Sequence, residues 1–237
     1  MKNSTKEIIN EINTYRDESK AAFLPRFFKT GKGEYGEGDQ FIGVVVPNLR
    51  IVAKKHFDAD FDTLRELLAS PYHEYRLTAL LALTYRYAKL KDHTSRETCV
   101  NFYVSQVDAI NNWDLVDLSC YKILGHWLFD KDKQLLYDWA KENHLWKQRI
   151  AMISCMHFVK QGEFKDALAI ADLLQHHPHD LIHKAVGWIL REIGKEDEQL
   201  LVDYLTPRYK EMPRTMLRYA IERFEEGKRK TFLNSMI

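Results

Sequence analysis

With 237 residues, 45% of them hydrophobic and 29% charged, the chain has the make-up of a globular protein rather than a disordered one. Ten glycines and six prolines argue against an all-β fold. A formal charge of +1 neither demands nor excludes a polyanionic partner, although residues 208–230 carry eight basic side chains against four acidic ones.

The first twenty residues are polar and charged, without the apolar run of a secretory signal, and no later stretch approaches the length of a membrane span. A cytoplasmic protein without membrane contact is therefore expected, and a monomer. No Pro/Gly/Ser-rich linker divides the chain, so residues 1–237 read as a single domain. Cys99, Cys120 and Cys155 are odd in number and far apart, which suits buried free thiols better than a disulfide framework or a zinc ribbon.

Taken in chain order, helical periodicity begins at Pro47, a residue suited to a first helical turn, with Leu49, Val52 and Ala53 at helical spacing. Further helices are predicted over 60–69, 73–89, 94–109, 113–129, 132–142, 146–161, 164–175, 179–194, 197–206 and 213–225. Breaks such as Ser70-Pro71, Gln161-Gly162 and His177-Pro178 separate them. No helix is assigned before Pro47. The fold class is all-α.

Four of these helices align with one another. Superposing EYRLTALLALTYRY, NNWDLVDLSCYKIL, LWKQRIAMISCMHF and LIHKAVGWILREIG puts Arg76, Trp113, Arg149 and Lys184 in register, at separations of 37, 36 and 35 residues. Two helices per period of that length is the pattern of an α-solenoid of HEAT-like helix pairs, whose second helices line a concave binding face. A row of cations on such a face suits the backbone of a nucleic acid. The competing reading is that they are salt-bridged, solvated side chains of ordinary helices.

Within 113–129, Val116, Cys120, Ile123 and Trp127 mark the core stripe, and Trp113, Asp117 and Tyr121 run down an adjacent line. A carboxylate set between two aromatics is partly desolvated, which fits either electrostatic work or a plain buried hydrogen bond. Asp114, in the first turn behind Asn112, reads as a helix-dipole residue. In the helix over 179–194, Ile182, Val186, Ile189 and Ile193 face the core, with Lys184, Trp188 and Arg191 on the flank. Trp127, Trp139 and Trp146 are assigned to packing.

Two weaker patterns are set aside. GKGEYGEGDQ (31–40) lacks the order of a phosphate loop and reads as a flexible connector or binding loop. His179-Asp180-x-x-His183 resembles a zinc-protease helix, but it has Asp for the usual Glu and no third ligand follows, so no metal is expected.

Four segments together resemble the bacterial AlkD-like DNA alkylation repair glycosylases: PRFFKTGKGEYGEGDQFIGVVVPNLR (25–50), NNWDLVD (111–117), LWKQR (145–149) and HKAVGWILRE (183–192). The resemblance covers nearly the whole chain. It implies removal of cationic alkylated purines, N3-alkyladenine or N7-alkylguanine, from double-stranded DNA without metal or cofactor. The tryptophan and final acid of the family's WD-x-x-D segment fall on Trp113 and Asp117, which are the implied catalytic residues. The backbone-binding arginine falls on Arg149, and the tryptophan of the KAxGW segment on Trp188. Lys184 joins them as a DNA-binding candidate from the repeat alignment. Where the family can carry a tyrosine, this chain has Phe27, which keeps the ring and loses the hydroxyl. A non-catalytic HEAT-like protein that binds bent or branched DNA is the alternative, since fold does not fix function.

Overall fold

The computed structural model describes residues 4–234, and the chain divides into two compact units, Met1–Ile123 and Leu124–Ile237. The first unit contains α1 (Thr5–Asn13), α2 (Glu18–Phe27), α3 (Val46–Lys55), α4 (Phe61–Leu68), α5 (His73–Lys89), α6 (His93–Ser105) and α7 (Trp113–Cys120). A π turn, Tyr121–Gly125, follows α7. The second unit holds α8 (His126–Leu128), α9 (Gln134–Lys141), α10 (Leu145–Ser154), α11 (Met156–Val159), α12 (Lys165–Leu174), α13 (Asp180–Glu196), α14 (Glu198–Leu205), α15 (Arg214–Ala220) and α16 (Glu226–Leu233). The fold is all-α, and the described residues form no strand beyond one isolated bridge between Gln40 and Tyr72. No described helix is long and apolar enough to cross a membrane.

Each unit is organised around one 17-residue helix. In the first, α5 buries side chains on all sides, Leu77, Leu80, Leu81 and Leu83 among them, and α3, α4 and α7 pack against it. A helix surrounded in this way needs no solvent-facing polar stripe, and polar side chains that it carries, His73, Glu74 and Arg76 among them, are buried against partners. In the second, α13 contacts α10, α12, α14 and α15, with Ile182, Val186, Ile189 and Ile193 fully buried as the periodicity predicts. Carboxylates cap several helix starts: Asp17 accepts from the Lys20 amide, Asp60 from Thr63, Asp92 from Ser95 and Asp197 from Leu200. Cys99, Cys120 and Cys155 are buried free thiols, as expected.

The segment between α2 and α3 is held by α5. Buried Glu74 accepts the amides of Ile42, Gly43 and Val44 at 3.1, 2.8 and 3.3 Å. This wrapping needs a left-handed residue: Gly43 has φ 85°, and a Cβ there would stand 1.9 Å from the Asp17 carbonyl.

Three departures from the sequence-based reading stand out. First, α1, α2 and α16 are helices that the pattern did not assign; α2 buries none of its residues fully, so it carries no clear apolar stripe. Second, the predicted helix 113–129 is interrupted by the π turn, which inserts a residue and rotates the remainder of the helix. Leu124 and Leu128 therefore enter the core, and Trp127 moves to a half-buried flank with the Lys131 ammonium 4.3 Å above its ring. Third, loop 31–40 is not a flexible connector. The Gly31 amide donates to Glu34 and the Gly33 amide to Glu37, each at 2.8 Å, and the Gly36 amide reaches back to the Lys29 carbonyl at 3.0 Å. Gln40 then pairs with the α5 entrance, its amide on the Pro71 carbonyl and its carbonyl accepting from His73.

Candidate functional site at the start of helix α7

Trp113 is the first residue of α7 and Asp117 lies one turn further on, so the two side chains share a face of the helix. Asn112 decides where that helix begins. Its Oδ1 accepts from the Trp113 amide at 2.9 Å, while its Nδ2 donates to Asp39 Oδ2 at 3.2 Å. The folded loop 31–40 thus anchors the start of α7 through Asp39.

Behind Trp113 sits a buried ionic network. His73 Nε2 is 2.8 Å from Asp114 Oδ2, and its Nδ1 is 3.1 Å from Asp39 Oδ2. Arg76 donates from Nη2 to Asp39 Oδ1 at 2.6 Å and from Nη1 to the Ser70 carbonyl at 3.0 Å. All four side chains are buried. With a carboxylate at each ring nitrogen, the doubly protonated imidazole satisfies both contacts at once. Burial pushes the His73 pKa down, but the Asp114 and Asp39 carboxylates outweigh it and raise the value to about 9. Burial likewise pushes Asp39 up, and the hydrogen bond from His73 with the Arg76 charge brings it below the usual carboxylate range. Two cations and two anions close the network at zero net charge.

This charged imidazole backs an aromatic stack. Phe28 and Phe41 lie 4.8 and 5.0 Å from the His73 ring, centroid to centroid. Phe28 stacks in turn on Trp113 at 5.3 Å with only 15° between the ring planes. Phe27 meets Trp113 edge-on at 5.9 Å and 71°. Trp113 is half-buried, whereas Phe27 and Phe23 on α2 are 51% and 61% exposed. The outcome is an indole fixed by buried chemistry on one side and bordered by open aromatic surface on the other.

Of the candidates read from sequence, Trp113, Asp117 and Phe27 lie in the first unit, and Trp113 brings Phe27 and the α7 face together. Asp117 is half-exposed. Arg149, Lys184 and Trp188 lie in the second unit. Lys184 Nζ is 2.7 Å from Asp180 Oδ2 on its own helix, and Trp188 is half-buried on the same helix. Arg149 is 4% exposed and donates from Nη1 to the Leu181 carbonyl of α13.

The proposed row of cations needs correcting on two points. Arg76 is not a solvated member of any row but the buried partner of Asp39. Trp113 is also one turn out of register: Asp117, Arg149 and Lys184 are each the fifth residue of their helix and Arg76 the fourth, while Trp113 is the first. The acid, not the indole, occupies the repeated position. Asp114 lies in the first turn of α7, as read from sequence, and in addition pairs with His73. His73, Asp39 and Phe28 were not singled out, because their partners lie far away in sequence and no short motif joins them. His177, His179 and His183 serve the turn into α13: His179 Nδ1 accepts from the Leu181 amide at 3.1 Å, and His183 Nε2 meets the His177 carbonyl. Among the described residues, no group of His, Cys, Asp and Glu could hold a metal ion.

The network sets a pH dependence. His73 has its folded pKa raised above the ordinary 6.5, so its contribution is fully present below about pH 6.5 and is lost as pH rises through about 9. Asp39, lowered, contributes above its ordinary value of 3.8 and loses that contribution only as pH falls through its folded value. The urea midpoint of the first unit is therefore expected to fall between about pH 6.5 and about pH 10. In a His73→Gln variant that alkaline drop should shrink, and an equal drop in both proteins would contradict the assignment.

The architecture is shared with known proteins. A family model described as "DNA alkylation repair enzyme" matches residues 8–224. Among solved structures, a predicted DNA alkylation repair enzyme from Enterococcus faecalis superposes with a TM-score of 0.68 at 14% identity, covering 89% of this chain and 97% of that one. The structure of AlkD2 from Streptococcus mutans gives 0.55 at 15% identity, with 88% and 99% covered. At those identities the likeness speaks to the fold. Among curated proteins, none matches the chain.

Proposed function

The chain belongs to the DNA alkylation repair enzyme family, and on that premise we propose that it is a DNA glycosylase. It would hydrolyse the N-glycosidic bond of cationic alkylated purines, N3-alkyladenine or N7-alkylguanine, in duplex DNA. The observation that carries this reading is the pairing on α7 of a half-exposed carboxylate, Asp117, with an indole one turn before it whose ring is locked by the Phe28 stack.

Glycoside hydrolysis ordinarily takes two carboxyl groups, one to protonate the leaving group and one to stabilise or activate the attack. A purine that already carries positive charge leaves without protonation, and without a Lewis acid on its nitrogen. One carboxylate is then enough: Asp117 beside the sugar offsets the developing oxocarbenium charge and orients the attacking water. The C–N bond breaks with both electrons going to the base, which departs neutral, and the water oxygen bonds to C1′ and gives up its proton to the Asp117 carboxylate. Trp113 and Phe27 present ring faces to the cationic nucleotide, which favours charged bases over normal ones. Phe27 supplies that contact without a hydroxyl. In the second unit, Lys184 and Trp188 contact the DNA, and Arg149 acts from behind them by holding the first turn of α13 through the Leu181 carbonyl.

The test is release of free base from a duplex bearing N7-methylguanine, with the unmethylated duplex as control. Release from the methylated duplex alone is the expected result. Binding of either duplex without release would replace this reading with that of a non-catalytic DNA-binding protein.

A further inference from the structure

The corrected register extends past the last helix in which the sequence alignment found it. In α15, the fifth residue is Arg218, and Arg214 precedes it by one turn on the same side. α15 packs against α13, as α13 does against α10. Thr215 hydrogen-bonds Asp180 at the start of α13, and Arg191 near its end pairs with Glu222 just beyond α15. Between these points the helices touch at Gly187, where a Cβ would stand 2.5 Å from the Met216 carbonyl and 2.5 Å from the Tyr219 Cβ. The two helices therefore run side by side in the same direction, which puts Arg214 and Arg218 on the helix beside the one that carries Lys184 and Trp188.

The fate of the cation at that position changes along the second unit. Arg149 is absorbed by the following helix, through the Leu181 carbonyl. Lys184 is tied to Asp180. Arg218 has no following helix of this kind to lean on: it is exposed, as is Arg214, and neither has an ion-pair or hydrogen-bond partner among the described residues. The acids nearby are mostly engaged elsewhere. Glu222 pairs with Arg191, Glu226 with Lys230, and Glu225 caps α16. The result is a pair of uncommitted guanidinium groups on the helix next to Lys184 and Trp188.

We propose that Arg214 and Arg218 on α15 form a phosphate-binding surface for the backbone of duplex DNA, continuing past the α13 face that carries Lys184 and Trp188. The proposal rests on the DNA-binding part of the function proposed above and not on catalysis. Guanidinium groups match phosphate geometry and give up their hydration more readily than ammonium groups. Contacts of this type hold DNA without reading its sequence, and each counterion released on binding appears in the salt dependence of affinity.

The experiment measures binding of the full chain to an undamaged DNA duplex over a series of salt concentrations. Losing two phosphate contacts lowers the slope of log K against log salt by about 1.8. The Arg214→Ala/Arg218→Ala variant is expected to show that decrease while keeping the far-UV circular dichroism and thermal midpoint of the wild type. A Lys230→Ala variant, which removes a charge already paired with Glu226, should keep the wild-type slope. An unchanged slope in the double arginine variant, equal losses in both variants, or no duplex binding by the wild type would each overturn the proposal. Base release is read separately: a lowered slope in a protein that releases no base leaves this surface in place and removes the glycosylase.

Discussion

Replacing His73 by Leu is expected to destabilise the first unit by about 3–5 kcal/mol, the usual cost of leaving a buried charge without its partner. The reason lies in what the substitution strands. Asp39 and Asp114 are both buried and both aim at the imidazole, at 3.1 and 2.8 Å. Removing the ring leaves Asp39 with Arg76 and Asn112, and takes from Asp114 its only hydrogen-bond partner identified in the network. Urea unfolding checks the size. Adding Asp114→Asn to His73→Leu is expected to restore part of the loss, since a neutral amide in that position costs less than an orphaned carboxylate. A loss below about 1 kcal/mol in the single variant would mean the network carries little of the stability assigned to it.

The same substitution has a consequence for the site. His73 is the far end of a stack that runs through Phe28 to Trp113. Without it, the indole keeps its neighbours Phe27 and Phe28 but loses the charged plate that fixes Phe28. Near-ultraviolet circular dichroism, which senses the packing of aromatic rings, should therefore change along with stability. In this way a buried ion network that touches no substrate determines how sharply the exposed face of Trp113 is defined.

How much of this was legible in the sequence depends on the range of the interaction. The helices from Pro47 onward were readable from apolar residues that recur at a spacing of about 3.6, and the predicted 73–89 coincides with α5. The helix α2 escaped because it buries no residue fully, and α16 because its basic composition hides a stripe reduced to Phe232. The π turn at Tyr121–Gly125 was invisible, since one inserted residue changes the geometry without changing the composition, and it moved Trp127 out of the core.

The site divides along the same line. Trp113 and Asp117 were found because both lie on one helix, within one motif, at i and i+4. Asp39, His73 and Asp114 come from a loop and two helices, and only the fold brings them together. Loop 31–40 looked flexible for its glycines, yet those glycines allow the tight turns that deliver Asp39. Arg76 and Arg149 were recognised as repeated cations, but a charge at a repeated position does not reveal whether it meets solvent or a neighbouring carbonyl. Both are buried here.

Asp117 carries the largest expected effect on activity. An asparagine in its place is nearly the same shape and removes the negative charge that the proposed mechanism assigns to it. Losing one preorganised group that stabilises developing charge costs about 100- to 1000-fold in rate. Because Asn112 and Asp114 anchor α7, and asparagine keeps the shape of the side chain, the variant is expected to fold and to bind duplex DNA as the wild type does. Affinity and rate are thereby separated.

Single-turnover release of N7-methylguanine from duplex DNA, with enzyme in excess, compares the two proteins most directly. The wild type is expected to release the base, and Asp117→Asn to release it at least about 100-fold more slowly at equal occupancy of the DNA. Equal rates in the two proteins would contradict the assignment of the chemistry to Asp117.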